Sequence, residues 1–244
     1  MEMKREKIFN REYFDGESGK PGYYQKRYEF NRLYPHFEFI AMQIKKYFNP
    51  KTVLDIGCAK GFLVLAFRNL SIEAYGVDIS EYAISNAPDG IQSYLYRVDV
   101  SKEFLPFEDN YFDFITCFEM IEYLKDYDLL IREINRVLKR GGILYLRTFV
   151  KRPRKDDIRI NIHSKKNWVK TLEAHGFKSI QIQKFINSLY AYTIEKNFTN
   201  SRANQTIKFK IGRMLYKWGW TYPIRKVFMS RYSDLLFTKV NKTC

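Results

Sequence analysis

Apolar residues recur at two spacings along the chain, and the change of spacing divides it. From Phe37 to Phe48 they fall at Phe37, Ile40, Ala41, Ile44, Tyr47 and Phe48, the three-and-four rhythm of one helical face. Pro50 ends that helix, because proline has no N–H with which to continue it. Short apolar runs then alternate with helical stretches. The pattern predicts strands at 52–57, 72–78, 94–99, 112–118, 142–149, 177–185 and 233–240. Between them it predicts helices at 60–70, 81–86, a stretch after Asp126 carrying Leu130, Ile134, Val137 and Leu138, and 165–175. Ser80 and Asp126 stand where N-caps belong, and Gly141 where a helix would close. Strand–helix alternation of this kind builds a doubly wound α/β fold, a mostly parallel sheet covered on both faces. Such sheets take their ligands beyond the carboxyl ends of the strands.

The first strand end carries the chemistry. Val53-Leu54-Asp55-Ile56-Gly57-Cys58-Ala59-Lys60-Gly61 runs from a buried strand through a tight glycine turn into a helix. Gly57 allows the turn and a close ligand approach, and Gly61 allows the helix to pack on the sheet. The spacing is G-x-x-x-G, not the dinucleotide G-x-G-x-x-G. An acid two residues before the first glycine would repel a pyrophosphate but suits an amino group. Asp78 ends the second strand, where a carboxylate can accept both ribose hydroxyls. Asp99 follows the third strand and can accept from an exocyclic amine, or simply cap its own turn. Three carboxylates at successive strand ends describe a ligand with an amino group, a ribose and an adenine, and no phosphates.

That series resembles the class I S-adenosylmethionine-dependent methyltransferases over about residues 50–187: VLDIGCAKG, YGVDIS, RVDV, LPFEDNYFDFITCFEMIEYL and REINRVLKRGGILYL occur in order. The LPF…FD and RVLKRGG stretches are similar to the branch that methylates small molecules, sugars, quinones and lipids. The resemblance implies a seven-stranded sheet with an antiparallel last strand, placed at 233–240, and S-adenosyl-L-methionine as cofactor. It implies cofactor contacts from Asp55, Gly57, Cys58, Ala59, Gly61, Asp78, Ile79, Asp99, Val100 and Phe118. It also implies an N-terminal segment, 1–50, folded over the cofactor as a cap, with Tyr24 in contact.

Catalytic candidates follow strands four and five. Glu119-Met120-Ile121-Glu122-Tyr123 resembles a Glu-x-x-Glu-His metal motif, but Tyr123 stands in the histidine slot and phenol is a poor ligand for a divalent cation, so no metal is expected. Glu119 and Glu122 remain as groups that position substrate or cap the following turn. His163 follows strand five and is the candidate general base, because imidazole titrates near neutrality. A cap on the helix it precedes is the structural alternative. His175 reads as a helix-end residue, and His36 has no evident partner. Cys117, inside an apolar strand, reads as a core thiol.

Charge adds a second theme. The 244 residues carry a formal net charge of +15. Residues 51–150 are mildly acidic, and the excess lies beyond 150: the segment 188–231 has nine Lys or Arg against Glu195 alone. Ile207, Ile211, Met214, Leu215 and Trp218 recur there at helical spacing, with Lys210, Arg213 and Lys217 on another face. Such a basic amphipathic insertion can lie on an anionic membrane, track phosphates, or pack on its own domain. Three cysteines without paired spacing, and no secretory h-region or apolar run of spanning length, fit a reducing compartment, the cytoplasm, with the inner face of a membrane as a peripheral station. The leading expectation is O-methylation of an anionic or membrane-associated small molecule or glycan. RNA methylation is the alternative, and a non-catalytic cofactor-binding or scaffold protein is the third reading.

Overall fold

A computed structural model describes residues 8–16, 28–150, 159–182, 185 and 232–240. The elements are α1 (Arg11–Asp15), α2 (Phe30–Phe48), β1 (Thr52–Ile56), α3 (Phe62–Asn69), β2 (Glu73–Asp78), α4 (Glu81–Ser85), β3 (Leu95–Arg97), β4 (Phe112–Phe118), α5 (Asp128–Val137), β5 (Leu138–Phe149), α6 (Lys165–Ala174), β6 (Phe177–Ile180) and β7 (Tyr232–Lys239). The strands form one seven-stranded sheet in the order β3-β2-β1-β4-β5-β7-β6. The first five run parallel, and β7 lies antiparallel between β5 and β6. The order turns back on itself between β1 and β4, so the crevice beyond their carboxyl ends is the switch point of the sheet.

All five residues of β1 are buried, as a central strand covered on both faces requires. Successive side chains alternate between the two faces. Leu54 and Ile56 enter a core with Ile115, Cys117, Leu144 and Leu146 under α5 and α6, where Ile131, Ile134, Trp168 and Leu172 close it. Val53 enters the opposite core with Phe114, Tyr145 and Leu236, under Ile40 and Ile44 of α2 and Leu63 and Phe67 of α3. By the same alternation Asp55 lies on the α2/α3 face, beside Thr116.

Several boundaries differ from the pattern: β6 ends at Ile180 rather than 185, and β3 covers only Leu95–Arg97. The N-terminal helix starts at Phe30, seven residues before its apolar stripe, and carries Pro35 inside it. The helix after Asp126 starts at Asp128, with Tyr127 as N-cap, and Asp126 instead accepts the Asp128 N–H at 2.9 Å. That helix ends at Val137 and runs straight into β5, which begins at Leu138 rather than 142. Gly141 (φ 73°) therefore sits within a strand, where the β4–β5 register shifts, and terminates no helix. Ser80 is an N-cap as expected, accepting from Ala83 N–H at 3.0 Å. Tyr24, residues 151–158 and the insertion 188–231 lie outside the described residues.

Candidate active site

After β1 the chain turns at Gly57, whose φ of 78° belongs to the left-handed region. A Cβ there would lie 2.7 Å from Met120 Cγ, so the turn also needs the absence of a side chain. The N–H groups of Gly57 and Cys58 both donate to the Val77 carbonyl, at 2.8 and 3.1 Å. That pins the turn against β2. Asp78 completes the clamp: Oδ2 accepts from Ala59 N–H and Oδ1 from Ser80 N–H, each at 2.8 Å. One carboxylate thus ties the turn after β1 to the turn after β2. Burial raises the Asp78 pKa against the pull of these N–H donors.

Asp55 is 5% exposed and accepts from Thr116 Oγ1 at 2.7 Å. Burial pushes its carboxyl up to about 7, with the Thr116 bond opposing and the Asp78 charge adding to the rise. Asp99 behaves otherwise. Burial would raise it, but hydrogen bonds from Ser101 and the Lys102 ammonium outweigh that and hold it below the usual carboxylate range. Its Oδ1 accepts from Ser101 Oγ at 2.6 Å and Ser101 N–H at 3.1 Å, so it caps its own turn.

These groups line one cavity of about 240 Å³. Asp55, Gly57, Cys58, Ala59, Asp78, Ile79, Asp99, Val100, Phe118 and Glu119 all face it. Gly61 does not: it starts α3 with φ 69°, against Ile91 and Leu95. Beyond β4 and β5 the walls are Glu119, Met120, Tyr123, Leu124 and Arg147. Glu119 has φ 51°, unusual for a residue with a side chain, and its N–H donates to the Arg147 carbonyl at 2.8 Å. Arg147 is held from behind. Its Nε donates to Asp234 Oδ1 at 2.8 Å and its Nη2 to the Tyr145 hydroxyl at 2.9 Å, while Tyr145 donates to the same Asp234 oxygen at 2.6 Å.

Two candidate catalytic residues stand away from the cavity lining. Glu122 is fully buried, and its Oε2 accepts from Thr148 Oγ1 at 3.0 Å. Its backbone carbonyl accepts the N–H groups of Ile160 and Asn161, at 2.8 and 3.0 Å, which anchors the chain leading to α6. Burial pushes the Glu122 carboxyl up to about 7, with Glu119 adding to it. His163 packs edge-on against Trp168, with Nε2 3.3 Å from the Tyr127 hydroxyl. Among the described residues no three His, Cys, Asp or Glu side chains converge as a metal would need.

The roof comes from the N-terminal segment. Phe9, Tyr13, Phe14, Tyr28, Leu33, His36 and Phe37 all line the cavity. Asp15 fastens this segment by an ion pair with Lys60 at 2.9 Å and a hydrogen bond from the Tyr82 hydroxyl at 2.5 Å. The sequence reading placed a cap at 1–50 but did not assign Phe9, Phe14, Tyr28, Leu33, His36, Phe37 or Arg147 to the site. A lone arginine in the apolar run GILYLRTF was the available signal, since a buried charge needs a partner and a reason.

Residues 54–146 match the methyltransferase domain family. That match covers 93 of the 244 residues. The chain is 32% identical over 105 residues to a ubiquinone biosynthesis O-methyltransferase of Xanthomonas oryzae pv. oryzae. The aligned stretch is 41% of this chain and 44% of the relative, so it spans less than half of that protein. In fold, the chain is similar to the solved complex between the Haloferax volcanii Trm112 methyltransferase activator and a partner methyltransferase. That match has a TM-score of 0.58 at 15% identity, over 86% of this chain and 93% of the other. It is also similar to an O-methyltransferase from a polyketide synthase multienzyme of Brevibacillus brevis, solved with S-adenosylhomocysteine. There the TM-score is 0.52 at 18% identity, over 84% and 72% of the two chains.

Proposed function

We propose that the chain transfers a methyl group from S-adenosylmethionine to an oxygen of a small acceptor. The observation that carries this is the convergence of Asp55, the Gly57 turn, Asp78 and Asp99 on one enclosed cavity. The residues present suit the cofactor. Asp55 can face its ammonium, Asp78 its ribose hydroxyls, and the backbone at Gly57 admits its close approach. Asp99 lines the cavity as well, with Oδ1 held by Ser101 and Oδ2 3.4 Å from Lys102 Nζ, so an exocyclic amine would share Oδ2 with that exposed lysine.

When bound, the sulfonium supplies an already activated methyl group. The chain's own task is to hold the acceptor oxygen in line with it and keep water out. Such positioning is worth about 7–11 kcal/mol in favourable cases. The acceptor end is mainly aromatic and apolar, with Tyr13, Met120, Tyr123 and Leu124 as walls and Arg147 and Glu119 as polar groups. That composition suits a small, flat hydroxyl compound over a polymer. The kinship with ubiquinone biosynthesis O-methyltransferases supports an oxygen acceptor. The net charge of +15, carried mostly beyond residue 150, supports an anionic acceptor or one met at an anionic membrane surface on the cytoplasmic side.

The test is calorimetric titration with S-adenosylmethionine and S-adenosylhomocysteine, for the parent and for Asp78→Ala. The parent should bind both. Asp78→Ala should weaken binding by about 100-fold, the loss of about 3 kcal/mol of charge-assisted hydrogen bonding. A parent that binds neither compound would end the reading. Labelled methyl transfer to 3,4-dihydroxybenzoate, total RNA and a glycan panel then separates the acceptor classes. Co-sedimentation with phosphatidylglycerol vesicles tests the membrane station.

A further inference from the structure

The chain has three histidines, and the structure sorts them. His175 spends both ring nitrogens, Nδ1 at 2.8 Å from the Thr171 carbonyl and Nε2 at 2.8 Å from the Asp128 carboxylate. His163 is paired with Tyr127 and Trp168 outside the cavity. His36 alone of the three lines it. It shares that position with Leu33 and Phe37, residues three and four apart on one face of α2.

The course of α2 says which part of the cavity His36 meets. At its C-terminal end Phe48 packs on Phe114 of β4, ring centroids 5.0 Å apart. The helix leads back to β1 through Asn49 and Pro50, so it runs opposite to the parallel strands and its first turns stand at their carboxyl edge. Its later turns share a core with Phe114, Tyr145 and Leu236, and its first turns meet the roof, where Leu33 and Phe37 cluster with Tyr28, Ala59 and Phe62.

We infer that His36 is the proton acceptor for the hydroxyl that is methylated. This rests on the methyl-transfer reading above. In the step the acceptor O–H bond breaks, and its proton goes to a ring nitrogen of His36. The oxygen pair forms the new O–CH₃ bond, and the S–CH₃ bond pair leaves on sulfur. A neutral imidazole and a sulfonium become an imidazolium and a thioether, so charge is conserved. The other charged groups on the cavity wall are Asp55, Asp78, Asp99, Glu119 and Arg147. Asp55, Asp78 and Asp99 are the groups set aside for the cofactor above, and Glu119 lies within the field of the Arg147 guanidinium. Imidazole, half deprotonated near neutrality, is the side chain best matched to accept a proton there.

The test needs no known acceptor. The full chain, labelled in its three histidines, is titrated by NMR with S-adenosylmethionine bound and again with S-adenosylhomocysteine bound. His36→Gln assigns its signal by deletion. A sulfonium charge close to His36 disfavours the imidazolium, and the thioether does not. The expected result is a His36 pKa about one unit lower with the methyl donor than with the product. His163 and His175 should titrate alike in both complexes. A His36 pKa that is the same in the two complexes overturns the inference and leaves the cofactor reading standing. No heat of binding and no change at any histidine overturns both.

Discussion

The phenol oxygens of Tyr13 and Tyr123 lie 3.3 Å apart, a buried contact that joins α1 to the turn after β4 across the roof of the cavity. Tyr123 occupies the position where the resembling metal motif has histidine, and its hydroxyl is turned to the N-terminal segment. Removing one partner of a buried hydrogen bond leaves the other unsatisfied. Tyr13→Phe and Tyr123→Phe are each expected to cost about 0.5–1.5 kcal/mol, which is about 2–6 °C in Tm for a chain of this size. The double variant should lose less than the sum, because both changes remove the same contact. Thermal unfolding of the four proteins measures this. Strict additivity would show that the phenols do not interact.

Gly57 is expected to be intolerant of even one methyl group. Its φ of 78° disfavours any side chain, and the added Cβ would lie 2.7 Å from Met120 Cγ, on the wall of the cavity. Gly57→Ala should cost about 1 kcal/mol or more and abolish cofactor binding. Gly141→Ala is the control. That residue has φ 73° but open space around its would-be Cβ, so it should lose stability and keep cofactor affinity. Calorimetry and thermal unfolding on both variants separate strain from obstruction.

Asp55 and Glu122 make stability depend on pH in a defined direction. Both carboxyls are raised by burial to about 7 in the folded protein, above their ordinary range. Between about pH 4 and 7 the folded state therefore holds protons that the unfolded state has released. Their stabilising contribution is full below the unfolded pKa and is lost as pH rises through 7. Asp55→Asn and Glu122→Gln should each flatten the fall of Tm with pH over that window. Unchanged slopes in both variants would refute the assignment.

Cofactor binding should draw on the same proton. An ammonium placed at Asp55 favours its carboxylate and lowers the pKa from about 7. Binding at pH 6.5 should then release a proton, and affinity should rise with pH up to about 7. Calorimetry in two buffers of different ionisation enthalpy reads the proton count. Asp55→Asn should remove the pH dependence.

His163→Gln should leave cofactor affinity unchanged, since His163 contacts Tyr127 and Trp168 away from the cavity lining. A loss of affinity of tenfold or more would mean that this histidine reaches the ligand by a route the cavity walls do not show.

The sequence by itself determined the elements whose causes are local. The run TVLDI sends Val53, Leu54 and Ile56 into the cores on the two faces of β1, and Ser80 caps α4 because its hydroxyl reaches an N–H three residues on. The order Asp55, Gly57, Asp78, Asp99 could be read as one site because a parallel sheet delivers each strand end to the same edge. Other features depend on contacts between distant parts of the chain, which spacing does not encode. Gly141 resembles a helix stop until β5 is seen to pair with β4 from Leu138 onward, a preference set by ladder partners. Histidines 36 and 163 are equally plain in the sequence; only the packing of α2 over the β4 side of the sheet brings His36 to the cavity, while Tyr127 and Trp168 hold His163 away. Arg147 joins the site because Asp234, 87 residues later, balances its charge in the interior. A buried ion pair becomes legible only when both partners are in place.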